Sequence, residues 1–85
     1  MTAAPSLTTR RVLVTGADGF LGRGVVAALA REGVSTLVAA DVREVPAERR
    51  LPGVIYLVQD VRDPALAQTL AAHAIDSVVH LASIV

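Results

Sequence analysis

The chain has 85 residues, enough for one small domain, and hydrophobic residues make up 53% of it. That fraction excludes the class of proteins that stay disordered because they have too little apolar surface to bury. Eight basic residues balance eight acidic ones, so no basic excess indicates nucleic acid or an anionic membrane as a partner. The basic residues are all arginines and cysteine is absent, which excludes a catalytic lysine, a thiol nucleophile and a thiolate metal site from this chain.

The N-terminus lacks the features of a targeting segment. Residues 1–10 contain neither an early basic region nor an apolar stretch, so we interpret them as a flexible lead-in rather than a secretory signal. Every uncharged run is well short of the ~20 apolar residues that a membrane helix needs. We therefore expect a cytoplasmic protein with no membrane partner.

Short apolar runs separated by turns occur four times along residues 11–85. Each run is rich in valine, leucine or alanine, which is typical of a parallel strand buried on both faces. The four predicted strands span residues 12–14, 36–40, 54–58 and 78–82.

Two helical patterns and one polar connection join these strands. Residues 20–31 carry apolar side chains on one face and predict a helix between the first two strands. The Asp63-Pro64 pair predicts the start of a second helix that runs to about residue 74. Its inward positions are predicted to be Leu66, Ala67, Leu70, Ala71 and Ala74. Residues 42–53 are polar and contain prolines, so they predict a surface connection with one helical turn around residues 47–50.

This alternation predicts the fold class. A strand–helix–strand unit pairs its two strands in parallel through a right-handed crossover. The simplest assembly is an α/β fold, a Rossmann-type doubly wound parallel sheet whose first four strands are ordered 3-2-1-4. With four strands the sheet is incomplete for this fold.

Three glycines, Gly16, Gly19 and Gly22, recur at intervals of three between the first predicted strand and the first helix. Glycine lets the strand turn sharply into the helix, whose first N–H groups and partial positive charge bind a pyrophosphate without a lysine. The spacing is informative because an apolar strand precedes it and an amphipathic helix follows. The alternative is a tight turn that binds no ligand.

Asp41 ends the second predicted strand. A carboxylate at that position accepts hydrogen bonds from both hydroxyls of an adenosine ribose and repels a 2′-phosphate, so it favours NAD over NADP. Arg43 is the opposing signal, because an arginine nearby could pair with a 2′-phosphate. The alternative for Asp41 is a solvated residue at a strand end.

Two further segments belong to the same carboxyl edge of the predicted sheet. Asp60 is placed to accept from the adenine amino group and Val61 to pack on the ring; alternatively, Asp60 only ends the strand and organises the turn. Leu81, Ala82 and Ser83 come after His80 and emerge at the carboxyl edge, at the point where the strand order reverses. Ligands bind at this point in doubly wound sheets, so we expect the main chain there to contact the ribose and diphosphate.

Residues 15–22, TGADGFLG, resemble the TGxxGFxG fingerprint of the extended short-chain dehydrogenase/reductases, the NAD-dependent epimerase/dehydratase family. Asp41 matches the ribose-binding acid, and residues 60–63 resemble the adenine segment. Residues 79–83 resemble the VxHLAA segment after the fourth strand, with Ser83 in place of its second alanine. The resemblance covers residues 11–85 and implies that they are the N-terminal portion of an NAD(P)-binding Rossmann domain. The cofactor-binding residues that it implies are Gly16, Asp18, Gly19, Phe20, Leu21, Gly22, Asp41, Arg43, Asp60, Val61, Leu81, Ala82 and Ser83.

Catalysis in this family rests on a Tyr-x-x-x-Lys pair with a nearby serine or threonine, beyond the fourth strand. The one tyrosine of this chain, Tyr56, is predicted to lie within a strand, and lysine is absent. We therefore assign no catalytic residue and expect the chain alone not to be catalytically competent. His73 and His80 are isolated from other metal-ligating side chains in the sequence, so we interpret both as structural and predict no metal site.

The resemblance implies the dinucleotide-binding N-terminal segment of an NAD-dependent epimerase/dehydratase-type oxidoreductase or sugar-modifying enzyme. The full-length protein would act on a small-molecule substrate, and a homodimer is compatible with the family. The short 42–53 connection argues against a nucleotide-sugar substrate. The alternatives are a non-catalytic NAD(P)-binding or redox-sensing module and a partner-binding α/β fragment with an empty glycine loop. Because the fourth strand would form an exposed apolar edge, we expect a piece of a longer protein rather than a small self-associating one.

Overall fold

The computed structural model describes residues 7–81, and it contains the four predicted strands and both predicted helices in the predicted order. The strands are β1 (Arg11–Thr15), β2 (Thr36–Asp41), β3 (Ile55–Val58) and β4 (Ser77–His80). The helices are α1 (Phe20–Arg31) and α2 (Leu66–Ala72), with 3-10 turns at Leu7–Thr9 and Ala47–Arg49. The first turn belongs to the predicted lead-in, and the second is the predicted helical turn of the surface connection. Residue 82, the predicted end of the fourth strand, lies outside the described residues.

All four strands pair in parallel in the order β3-β2-β1-β4, which confirms the predicted 3-2-1-4 sheet. Leu13 in β1 lies opposite Val38 of β2 and Val78 of β4. Within residues 7–81, β3 and β4 are the two edges, and Val78 is 52% exposed. Because parallel strands end on the same side, the segments that follow all four strands lie along one edge of the sheet.

The core lies on both faces of the two central strands, because successive side chains of a strand point to opposite faces. On one face the buried residues are Val12, Val14, Ala17, Val26, Leu37 and Ala39. On the other face they are Leu13, Val38 and Ala40, with Leu57, Leu66, Leu70 and Ile75 packed against them. Helix α1 covers the first face and α2 the second, so β1 and β2 need apolar residues at almost every position.

The predicted inward face of α2 is partly wrong. Leu66 and Leu70 pack against the core, but Ala67 and Ala71 are exposed, and Ala74 lies beyond the end of the helix and is exposed as well. With seven residues, α2 makes about two turns and buries one narrow stripe of residues four apart. Two leucines fill that stripe, so the alanines beside them contribute little to the core.

Helix α2 also begins later than the Asp63-Pro64 pair predicts. Asp63 begins a turn that leads into the helix, in which its Oδ1 accepts the N–H of Ala65 at 2.9 Å and its backbone oxygen accepts the N–H of Leu66 at 3.0 Å. The aspartate therefore makes the local hydrogen bond expected of a capping residue, while regular α-helix starts only at Leu66.

Candidate functional site

The glycine loop connects the end of β1 to the start of α1 through a tight turn. Gly16 has a φ of 70°, in the left-handed region that favours glycine. Its carbonyl oxygen accepts the N–H of Gly19 at 3.2 Å, and Ala17 donates its N–H to the oxygen of Ala40 at 3.1 Å. The loop is therefore closed on itself and fixed to the neighbouring strand β2.

Gly22 sits where α1 presses against this loop. A Cβ atom on Gly22 would overlap the carbonyl oxygen of Gly16 and would lie 2.8 Å from the Cα of Ala17. Real Cβ atoms do not approach backbone atoms so closely, so this position accepts only glycine unless the helix moves away. The third glycine of the spacing thus sets how near the N-terminus of α1 lies to the turn.

The N-terminus of α1 is open to an incoming ligand. Gly19 is its N-cap and has no side chain to accept a hydrogen bond from the first N–H groups of the helix, and the first turn contains no acidic residue. The N–H groups of Phe20, Leu21 and Gly22 have no acceptor within the helix because they belong to its first turn. Together with the helix dipole they form a site for an anion.

Asp41 stands beside the loop at the end of β2. Its Oδ2 accepts the N–H of Asp18 at 3.0 Å, and its Oδ1 accepts the N–H of Arg43 at 3.1 Å. Each carboxylate oxygen can accept a second hydrogen bond. The carboxylate is therefore held in place by backbone donors and keeps one acceptor position on each oxygen for a ligand.

A cavity of about 470 Å³ runs along the carboxyl edge of the sheet. Its lining contains seven of the predicted cofactor-binding residues, namely Gly16, Gly19, Asp41, Arg43, Asp60, Val61 and Leu81. Val42, Gln59 and Arg62 complete the lining. The structure thus brings the segments after all four strands into one cavity of a size that suits a nucleotide-sized ligand.

The remaining predicted cofactor-binding residues either do not line this cavity or lie outside the described residues. Asp18 belongs to the glycine loop, where its N–H contacts Asp41, and Gly22 belongs to the first turn of α1; neither lines this cavity. The side chains of Phe20 and Leu21 are on the outer surface of α1, with exposed fractions of 87% and 67%, so only their backbone groups lie at the helix N-terminus. Ala82 and Ser83 lie outside the described residues.

Asp60 forms a close ion pair with Arg62. Its Oδ2 accepts from Nη2 of Arg62 at 2.6 Å, and its Oδ1 accepts from Nε at 3.1 Å and from the backbone N–H of Arg62 at 2.9 Å. The side-chain hydrogen bonds from Arg62, and then its backbone N–H, lower the pKa of Asp60 to about 2. The backbone oxygen of Asp60 also accepts the N–H of Asp63 at 2.9 Å, so Asp60 organises the turn after β3 as well as lining the cavity.

This pair predicts a specific pH dependence of folding stability. The pKa of Asp60 in the folded protein, about 2, is below its ordinary value of 3.8, so the unfolded chain binds the proton at higher pH. The stabilisation is therefore fully present above about pH 4 and is lost as the pH falls towards about 2. We expect Asp60→Asn to reduce the loss of stability over that interval, by a small amount because the pair is exposed. Urea unfolding at several pH values measures this slope, and equal slopes for both proteins would contradict the assignment.

Asp18 is bonded to the connection between β2 and β3. Arg49 in the 3-10 turn donates from Nη2 to Oδ2 of Asp18 at 2.7 Å and from Nε to Oδ1 at 3.2 Å. These hydrogen bonds lower the pKa of Asp18, and the charges of Arg49, Arg23 and Arg43 lower it further. The pair ties the glycine loop to a segment about thirty residues further along the chain. Sequence reasoning missed Arg49, because no local pattern connects it to the loop.

Gln59 is a second residue that sequence reasoning missed. It directly follows β3, and its backbone N–H donates to the oxygen of Asp41 at 2.8 Å. Its Oε1 is buried and has no hydrogen-bond partner among the described residues. The available signal was its position, one residue before Asp60 at the carboxyl edge of the sheet.

Tyr56 and His80 both make structural hydrogen bonds. The hydroxyl of Tyr56, in β3, accepts the N–H of Leu51 at 2.9 Å. His80 Nδ1 lies 2.7 Å from Oγ1 of Thr15, its partner across the β1–β4 pairing. Across residues 7–81, no three potential metal-ligating side chains come together, and neither helix is long and apolar enough to cross a membrane.

Comparison with known proteins places this geometry in a family. The chain matches the family model described as NAD dependent epimerase/dehydratase family over residues 12–85. The enzyme WbmF of Bordetella bronchiseptica, solved with NADH, is 30% identical with a TM-score of 0.74, over 96% of this chain and 25% of its own. A GalE-like L-threonine dehydrogenase from Cupriavidus necator is 27% identical with a TM-score of 0.74, over 88% of this chain and 24% of its own.

A UDP-glucose 4-epimerase from Thermotoga maritima, solved with UDP-glucose, is 27% identical with a TM-score of 0.73, over 86% of this chain and 24% of its own. The chain thus spans about a quarter of the length of these solved structures. No curated protein matches it. The family match covers nearly all of the chain, and the solved structures share its Rossmann-type sheet, so the chain belongs to the NAD-dependent epimerase/dehydratase family.

Proposed function

We propose that this chain binds the adenosine diphosphate half of NAD and serves as the cofactor-binding part of an NAD-dependent epimerase, dehydratase or dehydrogenase. One observation carries the proposal. The open N-terminus of α1, held against the loop by Gly22, lies beside a carboxylate, Asp41, that retains free acceptor positions. The glycine loop and the Asp41 carboxylate line the same cavity, so one adenosine diphosphate could contact both.

The glycine loop would hold the pyrophosphate. Backbone N–H groups at the start of α1 donate to the phosphate oxygens, and the helix dipole favours their negative charge. No lysine is needed for this mode of binding, which agrees with a chain whose basic residues are all arginines. This mode of binding requires the backbone to approach the phosphates closely. Gly16 and Gly19, which line the cavity, allow that approach because they have no side chains.

Asp41 would select the ribose. Its two free acceptor positions suit the 2′- and 3′-hydroxyls, and its charge repels the 2′-phosphate of NADP, so we propose NAD as the preferred cofactor. Arg43 also lines the cavity. Its backbone N–H orients Asp41, while its exposed side chain is the feature that would tolerate NADP.

The bound nicotinamide would supply hydride transfer to or from a small-molecule substrate. The chain's own residues bind and orient the cofactor. They offer no acid/base pair of the family's Tyr-x-x-x-Lys type, because the Tyr56 hydroxyl accepts the N–H of Leu51 and lysine is absent. We therefore propose that proton transfer and substrate binding need residues outside these 85. The substrate class is a small polar molecule, since the similar enzymes are described by L-threonine and UDP-glucose.

A second candidate is a non-catalytic, dinucleotide-binding or redox-sensing role. This role is favoured for the 85 residues taken alone because the Tyr56 hydroxyl is hydrogen-bonded to the backbone of Leu51 and the sequence has no lysine. Both candidates require the same cofactor site, so a binding experiment tests what they share.

Titration of the 85-residue chain with NADH, followed by cofactor fluorescence, tests the proposal. The sequence contains no tryptophan, so protein emission interferes little. We expect saturable binding that ADP-ribose displaces and nicotinamide mononucleotide does not, because the proposed contacts lie on the adenosine diphosphate half. A signal that does not saturate, or displacement by the mononucleotide alone, would contradict the proposal.

A further inference from the structure

The glycine loop carries a negative charge beside the proposed phosphate site. Asp18 directly precedes Gly19, the N-cap of α1, and its side chain is 13% exposed. It lines a cavity of about 160 Å³, whose other lining residues, Gly19 and Asp41 among them, also line the 470 Å³ cavity. The Asp18 carboxylate therefore borders the site that would hold the pyrophosphate. Without a counter-charge, it repels the anion that the helix N-terminus attracts.

Arg49 supplies the counter-charge. It donates from Nη2 to one carboxylate oxygen of Asp18 at 2.7 Å and from Nε to the other at 3.2 Å, a two-point contact between guanidinium and carboxylate. These hydrogen bonds lower the pKa of Asp18, so its carboxylate is ionised at neutral pH. Arg23 and Arg43 act on Asp18 through their charge, without a hydrogen bond to its carboxylate. Arg49 is therefore the arginine that compensates Asp18 at contact distance.

The loop is closed independently of this ion pair. The N–H groups of residues 17–19 each donate to an acceptor in the loop or in β2, at 3.1, 3.0 and 3.2 Å in chain order. An ion pair whose arginine side chain is 40% exposed also contributes little to folding stability. The main consequence of the pair is therefore the charge that it removes from the border of the phosphate site.

We propose that Arg49 is a positioning residue of the cofactor site, which acts through Asp18 by cancelling its charge and holding its carboxylate towards the 42–53 connection. This role rests on the proposed function, because it requires a negatively charged ligand at the N-terminus of α1. An unpaired Asp18 carboxylate repels the phosphates and is itself an anion attracted to the same helix N-terminus. The connection between β2 and β3 thus contributes to cofactor binding, although Arg49 does not line the 470 Å³ cavity.

The test measures NADH affinity by cofactor fluorescence for the wild type, Arg49→Met, the double variant Asp18→Asn/Arg49→Met, and Arg31→Met. Each protein is titrated at about 0.1 M and about 1 M salt, where the Debye length is about 10 Å and about 3 Å. Arg31→Met is the matched control because Arg31 is exposed in the last turn of α1. It makes the same change of charge about 16 Å from the start of the helix.

We expect Arg49→Met to bind NADH about tenfold more weakly than the wild type at the lower salt concentration, because a unit charge then acts on the nearby diphosphate. At the higher salt concentration the defect should shrink to about twofold or less, since salt screens the repulsion. The double variant should recover most of the lost affinity, because Asp18→Asn removes the repelling charge. Arg31→Met should stay within about twofold of the wild type at both concentrations.

Unchanged affinity in Arg49→Met at the lower salt concentration would overturn the inference. A defect of equal size at both salt concentrations would also overturn it, because a structural role is not screened by salt. A double variant as weak as Arg49→Met would mean that Arg49 contacts the phosphates directly or that the ion pair itself is needed. Melting temperatures several degrees lower in both variants would show a structural role and overturn the inference as well. A wild type without saturable binding would contradict the proposed function, and this inference with it.

Discussion

Gly22→Ala is expected to weaken NAD binding by roughly 100-fold and to destabilise the protein. The added methyl group would overlap the Gly16 carbonyl oxygen, and backbone cannot move aside as a side chain can. The N-terminus of α1 must shift, which removes at least two hydrogen bonds to the charged pyrophosphate. At about 1.5 kcal/mol each, their loss lowers the affinity by roughly 100-fold. Overpacking of this kind costs about 1–3 kcal/mol of folding stability. NADH titration and urea unfolding measure the two effects.

Gly24→Ala is the matched control for this variant. Gly24 lies two residues further along α1, and a Cβ atom there would meet nothing within 4 Å. The same substitution is therefore expected to leave NAD binding unchanged and to stabilise the helix by about 0.5–1 kcal/mol, because alanine has the higher helix propensity. Similar losses of NAD affinity in both variants would mean that the glycine content of the helix, rather than the close approach at Gly22, determines cofactor binding.

Asp41→Asn is expected to weaken NAD binding by about tenfold or more, since a hydrogen bond to a charged group contributes about 1.5–3 kcal/mol. The amide also loses one of the two backbone hydrogen bonds, from Asp18 or Arg43, that the carboxylate accepts. That second loss affects NAD and NADP alike because it concerns the position of the loop. The expected result is therefore a smaller loss for NADP, whose 2′-phosphate no longer meets a negative charge. Competition against NADH measures both affinities.

Glu48→Gln provides the control for the charge. Glu48 is exposed on the 3-10 turn and does not line the cavity, so its substitution removes one negative charge without touching the ribose position. We expect both cofactors to bind this variant as they bind the wild type. Equal losses of NAD and NADP affinity in Asp41→Asn would remove the ribose role and leave Asp41 as a residue that only positions the loop.

The sheet could be predicted because its sequence signals are local. A central parallel strand is covered on both faces, so β1 and β2 appear as uninterrupted apolar runs. The glycine spacing marks the turn before α1, where Gly22 has no room for a side chain. Each of these features follows from a few consecutive residues, and the order of strands follows from the handedness of the crossovers.

The parts that could not be predicted depend on contacts between distant segments. Arg49 gains its role from Asp18, which lies in another turn, and nothing in residues 47–50 indicates that pairing. Asp60 was predicted from its carboxylate, but the sequence does not show that Arg62 pairs with it, or that the Oε1 of Gln59 is buried with no partner among the described residues. Which polar atoms of these adjacent residues are hydrogen-bonded depends on the local geometry of the folded chain, and that geometry cannot be inferred from the sequence.

Binding of the pyrophosphate at the N-terminus of α1 is tested most directly by amide NMR of the ¹⁵N-labelled 85-residue chain during titration with NAD. We expect the largest shift changes at the N–H groups of Phe20, Leu21 and Gly22, with smaller changes near Asp41. Amides of α2, on the opposite face of the sheet, should remain at their starting positions. Saturating NAD that leaves the first turn of α1 unshifted would contradict a dinucleotide site at the glycine loop.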